Sequence, residues 1–200
     1  FVHLLCSKIF FNLYQILLII FHIFFNLLSP ACLNSCMTNA NHQKQARIDA
    51  EHYLRAFSDV QNAVAITLTQ KQIVDHQHID DIVSSDNLRH FMNRLNTAVY
   101  GKCFKRSNKR LTVFAVRENS ADVRHHLHLM LERPPYICVD DYRYLIFTCW
   151  SKTQFGHFNI KVDEAYDLSG WTDYILKRKT KSNWYDAIDW ENCYLQTSLA

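Results

Sequence analysis

Apolar side chains recur along this chain with two alternating periods, and the switches between them mark out the elements. Gln45–Val60, with Ile48, Tyr53, Leu54 and Phe57, carries helical spacing. Ala63–Gln70 (AVAITLTQ) alternates and is rich in β-branched side chains, which predicts a strand. The polar stretch Lys71–Val83 predicts a loop. A second helix is expected over Ser84–Gly101: a serine or aspartate cap opens it, Leu88, Phe91, Met92, Leu95 and Val99 line one face, and Gly101 stops it. Arg110–Asn119 and His125–Arg133 predict two strands of a hairpin. Cys138–Thr153 predicts a helix, His157–Tyr166 a strand, and Leu168–Ser182 a last helix with a basic end. The order is α-β-α-β-β-α-β-α. Its middle, βαββαβ, is the split βαβ pattern, so the expected class is α+β: a ferredoxin-like antiparallel sheet with helices packed mainly on one face.

The first 36 residues break this pattern. Ile9–Leu28 is a run of twenty residues without a charged side chain, long enough to span a bilayer. A secretory signal fits poorly, because the run is long and only Lys8 precedes it as a charge. The segment is dominated by Phe, Ile, Leu, Asn and Tyr, as AT-rich codons supply, and the first methionine is Met37, where the character of the chain changes. Residues 1–36 are therefore expected to be upstream read-through, with a membrane anchor over residues 9–28 as the alternative, and residues 37–200 to be the functional domain.

Composition narrows the class. An apolar fraction of 48% with 20% charged residues suits a packed core, and three glycines and three prolines argue against a linker or disordered chain. A net charge of +3 gives no global attraction to polyanions, so anion binding must come from local patches. The seven cysteines are scattered without a CxxC, which argues against a zinc ribbon and predicts reduced thiols in the cytoplasm.

Candidate chemistry centres on RHHLHLMLERP, Arg124–Pro134. In a strand, residues two apart share a face, so His126 and His128 project together while Leu127 and Leu129 project oppositely. Such a pair is weak evidence alone: about 0.6 His-x-His pairs are expected by chance in a chain with this many histidines. His76-Gln77-His78 is a second example, in a polar loop. The preceding strand sharpens the signal. Glu118 lies eight residues before His126, and a hairpin would bring it beside the histidines as a third ligand. Two imidazoles and a carboxylate suit Mn²⁺ or Mg²⁺ with open positions for water or phosphate oxygen. The competing reading is packing or hydrogen bonding on a half-exposed sheet. His125 should face the other way, and His157 on another strand is a further conceivable ligand.

Tyr174 and Lys177 are three apart on the last helix and share a face. A phenol is a poor nucleophile unless a metal or cation assists it, so a tyrosine with a neighbouring lysine and a metal suits phosphotyrosine chemistry. Otherwise Tyr174 is an ordinary amphipathic side chain.

The order ITLTQ (Ile66–Gln70), a strand-ending Glu118, HLH (His126–His128) and YILK (Tyr174–Lys177) resembles the HUH endonucleases, most of all the single-tyrosine rolling-circle replication initiators. The resemblance covers Ala63 to about Ser182. It implies that Glu118, His126 and His128 bind Mn²⁺ or Mg²⁺, that Tyr174 and Lys177 are catalytic, and that Thr67 and Thr69 of the first motif touch DNA. It implies nicking and rejoining of single-stranded or origin DNA through a 5′-phosphotyrosine, initiating replication of a plasmid or small mobile element. A single-strand transposase or a relaxase shares that chemistry. Tyr185 is a weaker nucleophile candidate, lacking a lysine three residues on. No P-loop follows, so unwinding would need a host helicase.

Two basic runs fit a nucleic-acid partner through phosphate contacts. One holds Lys102, Lys105, Arg106, Lys109 and Arg110, with Phe104 as a stacking or core side chain; the other holds Arg178, Lys179 and Lys181 beside Lys177. The rival from another class is a non-catalytic nucleic-acid-binding module of the same fold. Such modules present exposed aromatics on the sheet, where HLH opposite a glutamate presents metal ligands.

Overall fold

A computed structural model describes residues 30–57, 60–120, 123–176 and 184–195. The elements in chain order are α1 (Pro30–Phe57), β1 (Ala63–Gln70), β2 (Ile73–Val74), β3 (Gln77–His78), α2 (Asp81–Tyr100), α3 (Lys102–Ser107), β4 (Val113–Ser120), β5 (Val123–Glu132), α4 (Val139–Trp150), β6 (Gly156–Glu164) and α5 (Leu168–Leu176), then a 3-10 turn at Trp184–Ala187. The chain divides into two units, Phe1–Asp49 and Ala50–Ala200. Of the first, the described part is the beginning of α1, which runs unbroken through Met37. The apolar run Ile9–Leu28 and the basic run Lys177–Lys181 lie outside the described residues. Among the described residues no helix is long and apolar enough to cross a membrane.

In the second unit β4, β5, β1 and β6 form, in that order, one antiparallel sheet. This is an α+β arrangement compatible with the ferredoxin-like fold expected from the pattern. β1 carries the alternation that was read from it. Val64, Ile66 and Leu68 point to one face and meet Leu127, Leu129 and Leu131 of β5, Val113 and Ala115 of β4, and Val162 of β6. The crossover helices cover that face. α2 contributes Leu88, Phe91, Met92 and Leu95; α4 contributes Tyr142, Ile146, Cys149 and Trp150. Phe91 meets Trp150 edge-on at 5.5 Å between ring centroids. Each such side chain taken from water adds about 1.5–3 kcal/mol of gross stabilisation before entropy is counted.

The stretch read as a loop before α2 is more ordered than its polarity suggested. β2 and β3 form a two-stranded hairpin, with Asp75 and His76 at positive φ in its turn. α2 then begins at Asp81, not at Ser84, because the cap is Asp80: its Oδ1 accepts from the Val83 backbone N–H at 2.8 Å. Ser84 and Ser85 thus fall inside the helix and are buried. Ser84 Oγ donates to Gln70 Oε1 and Ser85 Oγ to Asp189 Oδ1. The other end behaves as read: Gly101 sits at φ +56° and its N–H donates to the Thr97 carbonyl. The first basic run, read only as a patch, winds into α3 and buries Phe104.

The second sheet face changes character along its length. At one end Ala65, Phe114 and Met130 lie under the end of α1 and under α5. Tyr53 and Phe57 pack on Phe114, and Thr172 Oγ1 donates to Met130 Sδ at 3.3 Å. At the other end the face is polar. The outer edge of β4 is closed by the C-terminal segment, through bridges Val113–Tyr194 and Val116–Ile188.

Candidate metal centre

Strand register assembles the polar end of the second face. Glu118 stands opposite His126, and His126 opposite Thr69. One step along, Val116, His128, Thr67 and Lys161 form a continuous row across β4, β5, β1 and β6. Directly opposed residues share a face, so the two histidines, the carboxylate, both threonines and Lys161 look out of the same side of the sheet. The leucines between them are buried on the other side. The alternation of HLHL thus places imidazoles on one surface and core on the other.

The three candidate ligands converge. Glu118 Oε2 lies 3.1 Å from His126 Nε2 and 3.1 Å from His128 Nε2. The histidine rings meet at 83° with centroids 4.8 Å apart. One ligand atom from each residue falls within a 4.8 Å cluster, so the group can hold a metal ion. Among the described residues, no other set of three or more His, Cys, Asp or Glu side chains does so. The side chains of Glu118, His126 and His128 retain 17%, 16% and 9% exposure, so the cluster is shielded but still open to solvent.

The far ring nitrogens support the same reading. His126 Nδ1 donates to the Arg124 carbonyl at 2.8 Å, which turns Nε2 towards Glu118 as the nitrogen placed to ligate. His128 Nδ1 lies 3.2 Å from Thr67 Oγ1, so the hydroxyl can accept from it and fix the same tautomer. Imidazoles that hold a metal are oriented in this way by a partner on the other nitrogen.

α5 lies against this face. Trp171 meets His128 edge-on at 6.1 Å. Tyr174, one turn further on, is 72% exposed. Lys161 is held above its ordinary range first by its 2.9 Å pair with Asp163, then by that charge and, least, by Tyr174. The expected lysine partner, Lys177, lies outside the described residues, as do Arg178, Lys179 and Lys181.

No protein-family model, no curated protein and no solved structure matches this chain.

Other expected site residues are distributed differently. Thr67 is turned to His128, so its hydroxyl serves the imidazole. His157 stands apart: its Nδ1 accepts from the Asn159 N–H, and its ring packs on Phe158 at 4.1 Å. His125 projects away from the pair, and its N–H donates to Gln72 Oε1. Tyr185 is buried beside Trp184 and unsuited to attack a substrate.

Lys102, Lys105, Arg106, Lys109 and Arg110 precede the start of β4, whereas Glu118 is near its far end. Five residues of strand, about 17 Å, separate Val113 from Glu118. Lys109 covers the Tyr100 ring at 4.9 Å and Arg110 the Phe104 ring at 5.0 Å. Phe104 is buried, so it anchors α3 and is not free to stack on a base. Pattern reading missed Lys161 and Trp171. The alternation of β6 gave the face of Lys161, but only the register with β1 puts it in line with His128.

Proposed function

We propose that the domain is a metal-dependent single-strand DNA nickase and strand transferase working through a phosphotyrosine. The observation that carries this reading is the convergence of Glu118, His126 and His128 under a helix bearing an exposed tyrosine. A divalent cation held there, Mn²⁺ or Mg²⁺ for a mixed nitrogen and oxygen ligand set, supplies Lewis-acid polarisation of a phosphodiester. Glu118, His126 and His128 present the ligand atoms, and Thr67 and the Arg124 carbonyl hold the imidazoles in the ligating tautomer. Tyr174 Oη attacks phosphorus. A P–O bond to the tyrosine forms, the bond to the 3′ oxygen breaks and that oxygen takes up a proton, while the phenolic proton passes to solvent. The products are a 5′-phosphotyrosyl strand and a free 3′-hydroxyl, and the reverse transfer rejoins them. Lys161 offsets charge developing near the phenolic oxygen, a part first read for Lys177.

The same 2-His-1-carboxylate set also suits non-haem iron(II). The exposed tyrosine on the helix that meets His128 favours phosphoryl transfer, since oxygen activation has no use for it. Against a purely binding module stands the face itself, with Thr67, Thr69, Glu118 and the histidines where base-stacking aromatics would be needed. Initiation of rolling-circle replication on single-stranded or origin DNA, aided by a host helicase, is the setting proposed, with transposition or conjugation as alternatives using the same chemistry. The test is incubation with labelled single-stranded DNA and Mn²⁺, then a denaturing gel. A covalent protein–DNA band that disappears with EDTA supports the reading; labelled DNA that never joins the protein, across a pool of random sequences, rejects it.

A further inference from the structure

On the helix-covered side of the sheet, opposite the metal centre, α2, α3 and the end of α4 line an open groove of about 710 Å³. Its floor is apolar, from the buried Cys149 and Phe104 and the half-buried Leu145, and its sides add the polar His90, Asn93 and Thr97. Its rim is cationic: Arg94 from α2, Lys105 from α3 and Lys152 just beyond α4 all line it. No carboxylate lines this cavity, and among the described residues none pairs with Arg94, Lys105 or Lys152. A smaller cavity of about 320 Å³ adjoins it and shares His90, Arg94 and Lys152. The carboxylate on its wall, Asp86, is paired with Arg89.

We propose that this groove binds a free nucleotide, its base on the apolar floor and its phosphates against Arg94, Lys105 and Lys152. Three cations from three segments converge on one concavity without acids to neutralise them, an arrangement that favours a polyanion. The volume lies within the roughly 300–1,000 Å³ of small-molecule sites. The apolar floor is what separates a nucleotide from inorganic phosphate. The field of the cations reaches that floor: burial pushes the Cys149 thiol up, while Lys152 and Arg94 pull it back. The metal centre takes no part, so the inference stands or falls apart from the nuclease reading.

The test is calorimetric titration of ATP into the full chain in EDTA, which removes any contribution of the metal centre. The expected result is one saturable site with a Kd below about 1 mM, with adenosine and inorganic triphosphate each binding at least about tenfold more weakly because each meets only half of the site. Arg94→Glu with Lys152→Glu, both exposed and so tolerated by the fold, should weaken ATP binding at least about tenfold with an unchanged melting temperature. Absence of saturable ATP binding, or equal affinity in the double variant, overturns the proposal. So does a short single-stranded oligonucleotide that binds here in a manner dependent on Arg94 and Lys152 where ATP fails, because the groove would then be a strand-binding surface.

Discussion

Thr67 stands directly opposite His128 across β1 and β5, and its Oγ1 lies 3.2 Å from His128 Nδ1. The threonine therefore orients an imidazole whose other nitrogen faces Glu118. Loss of such a partner typically costs 10–100-fold in metal affinity. Thr67→Val keeps the β-branched shape and removes the hydroxyl, so it should weaken Mn²⁺ binding about tenfold or more without unfolding the sheet. Titration followed by the paramagnetic signal of free Mn²⁺ checks this; an unchanged affinity would leave Thr67 without a part in the centre.

Tyr174 is exposed and its ring supports no core, so Tyr174→Phe should leave the melting temperature and DNA binding almost unchanged while abolishing the covalent DNA adduct. Lys161→Ala should slow adduct formation about tenfold, less than the loss of a buried donor, because its ammonium is exposed. Single-turnover gels measure both. An adduct of normal yield in Tyr174→Phe would assign the nucleophile elsewhere.

Gly156 is packed where a side chain has no room. A Cβ there would collide with the Trp150 carbonyl oxygen and come within 2.7 Å of Thr153 Oγ1. Since the obstacle is helix-end backbone, it cannot rotate away. Gly156→Ala should destabilise the domain by about 1–3 kcal/mol, measurable as a shift of the urea midpoint with unchanged slope.

Alkaline pH should weaken the fold. Burial pushes the Cys193 thiol up to about 12 from an ordinary value near 9, with Asp189 adding to the rise and the hydrogen bond to Ala115 opposing it. The folded chain therefore holds this proton over a range in which the unfolded chain has released it. The stabilisation is complete below pH 9 and is lost between pH 9 and 12, by up to about 1.4 kcal/mol per pH unit for one proton. Cys193→Ala, lacking the titrating group, should show a shallower decline in urea midpoint across that window; an identical decline would mean that other groups set it.

Much of this was legible in the residues. β1 matches its predicted limits because alternation in AVAITLTQ is a direct imprint of two unlike sheet faces. Glu118 and the two histidines came together as read because a short hairpin with a fixed register follows from adjacent strands. The start of α2 was not legible, since Asp80, Ser84, Ser85 and Asp86 are all acceptable caps in sequence, and only the burial of both serines against Gln70 and Asp189 selects Asp80. Lys161 was hidden for a related reason. It meets the histidine row through pairing with β1, a contact between strands almost a hundred residues apart, and local pattern carries no register at that range. Phe104, equally suited to stack on a base or to fill a core, was decided by the turn that winds α3 onto α2.

The proposed chemistry requires Glu118, His126 and His128 to act as one ligand set. Calorimetric titration of Mn²⁺ into the metal-free protein tests this most directly: the wild type should bind one ion per chain, and His126→Ala and His128→Ala should each lose the heat of binding while remaining folded. Wild-type protein that takes up no ion, or histidine variants that bind it as tightly, would contradict the metal centre and the chemistry proposed upon it.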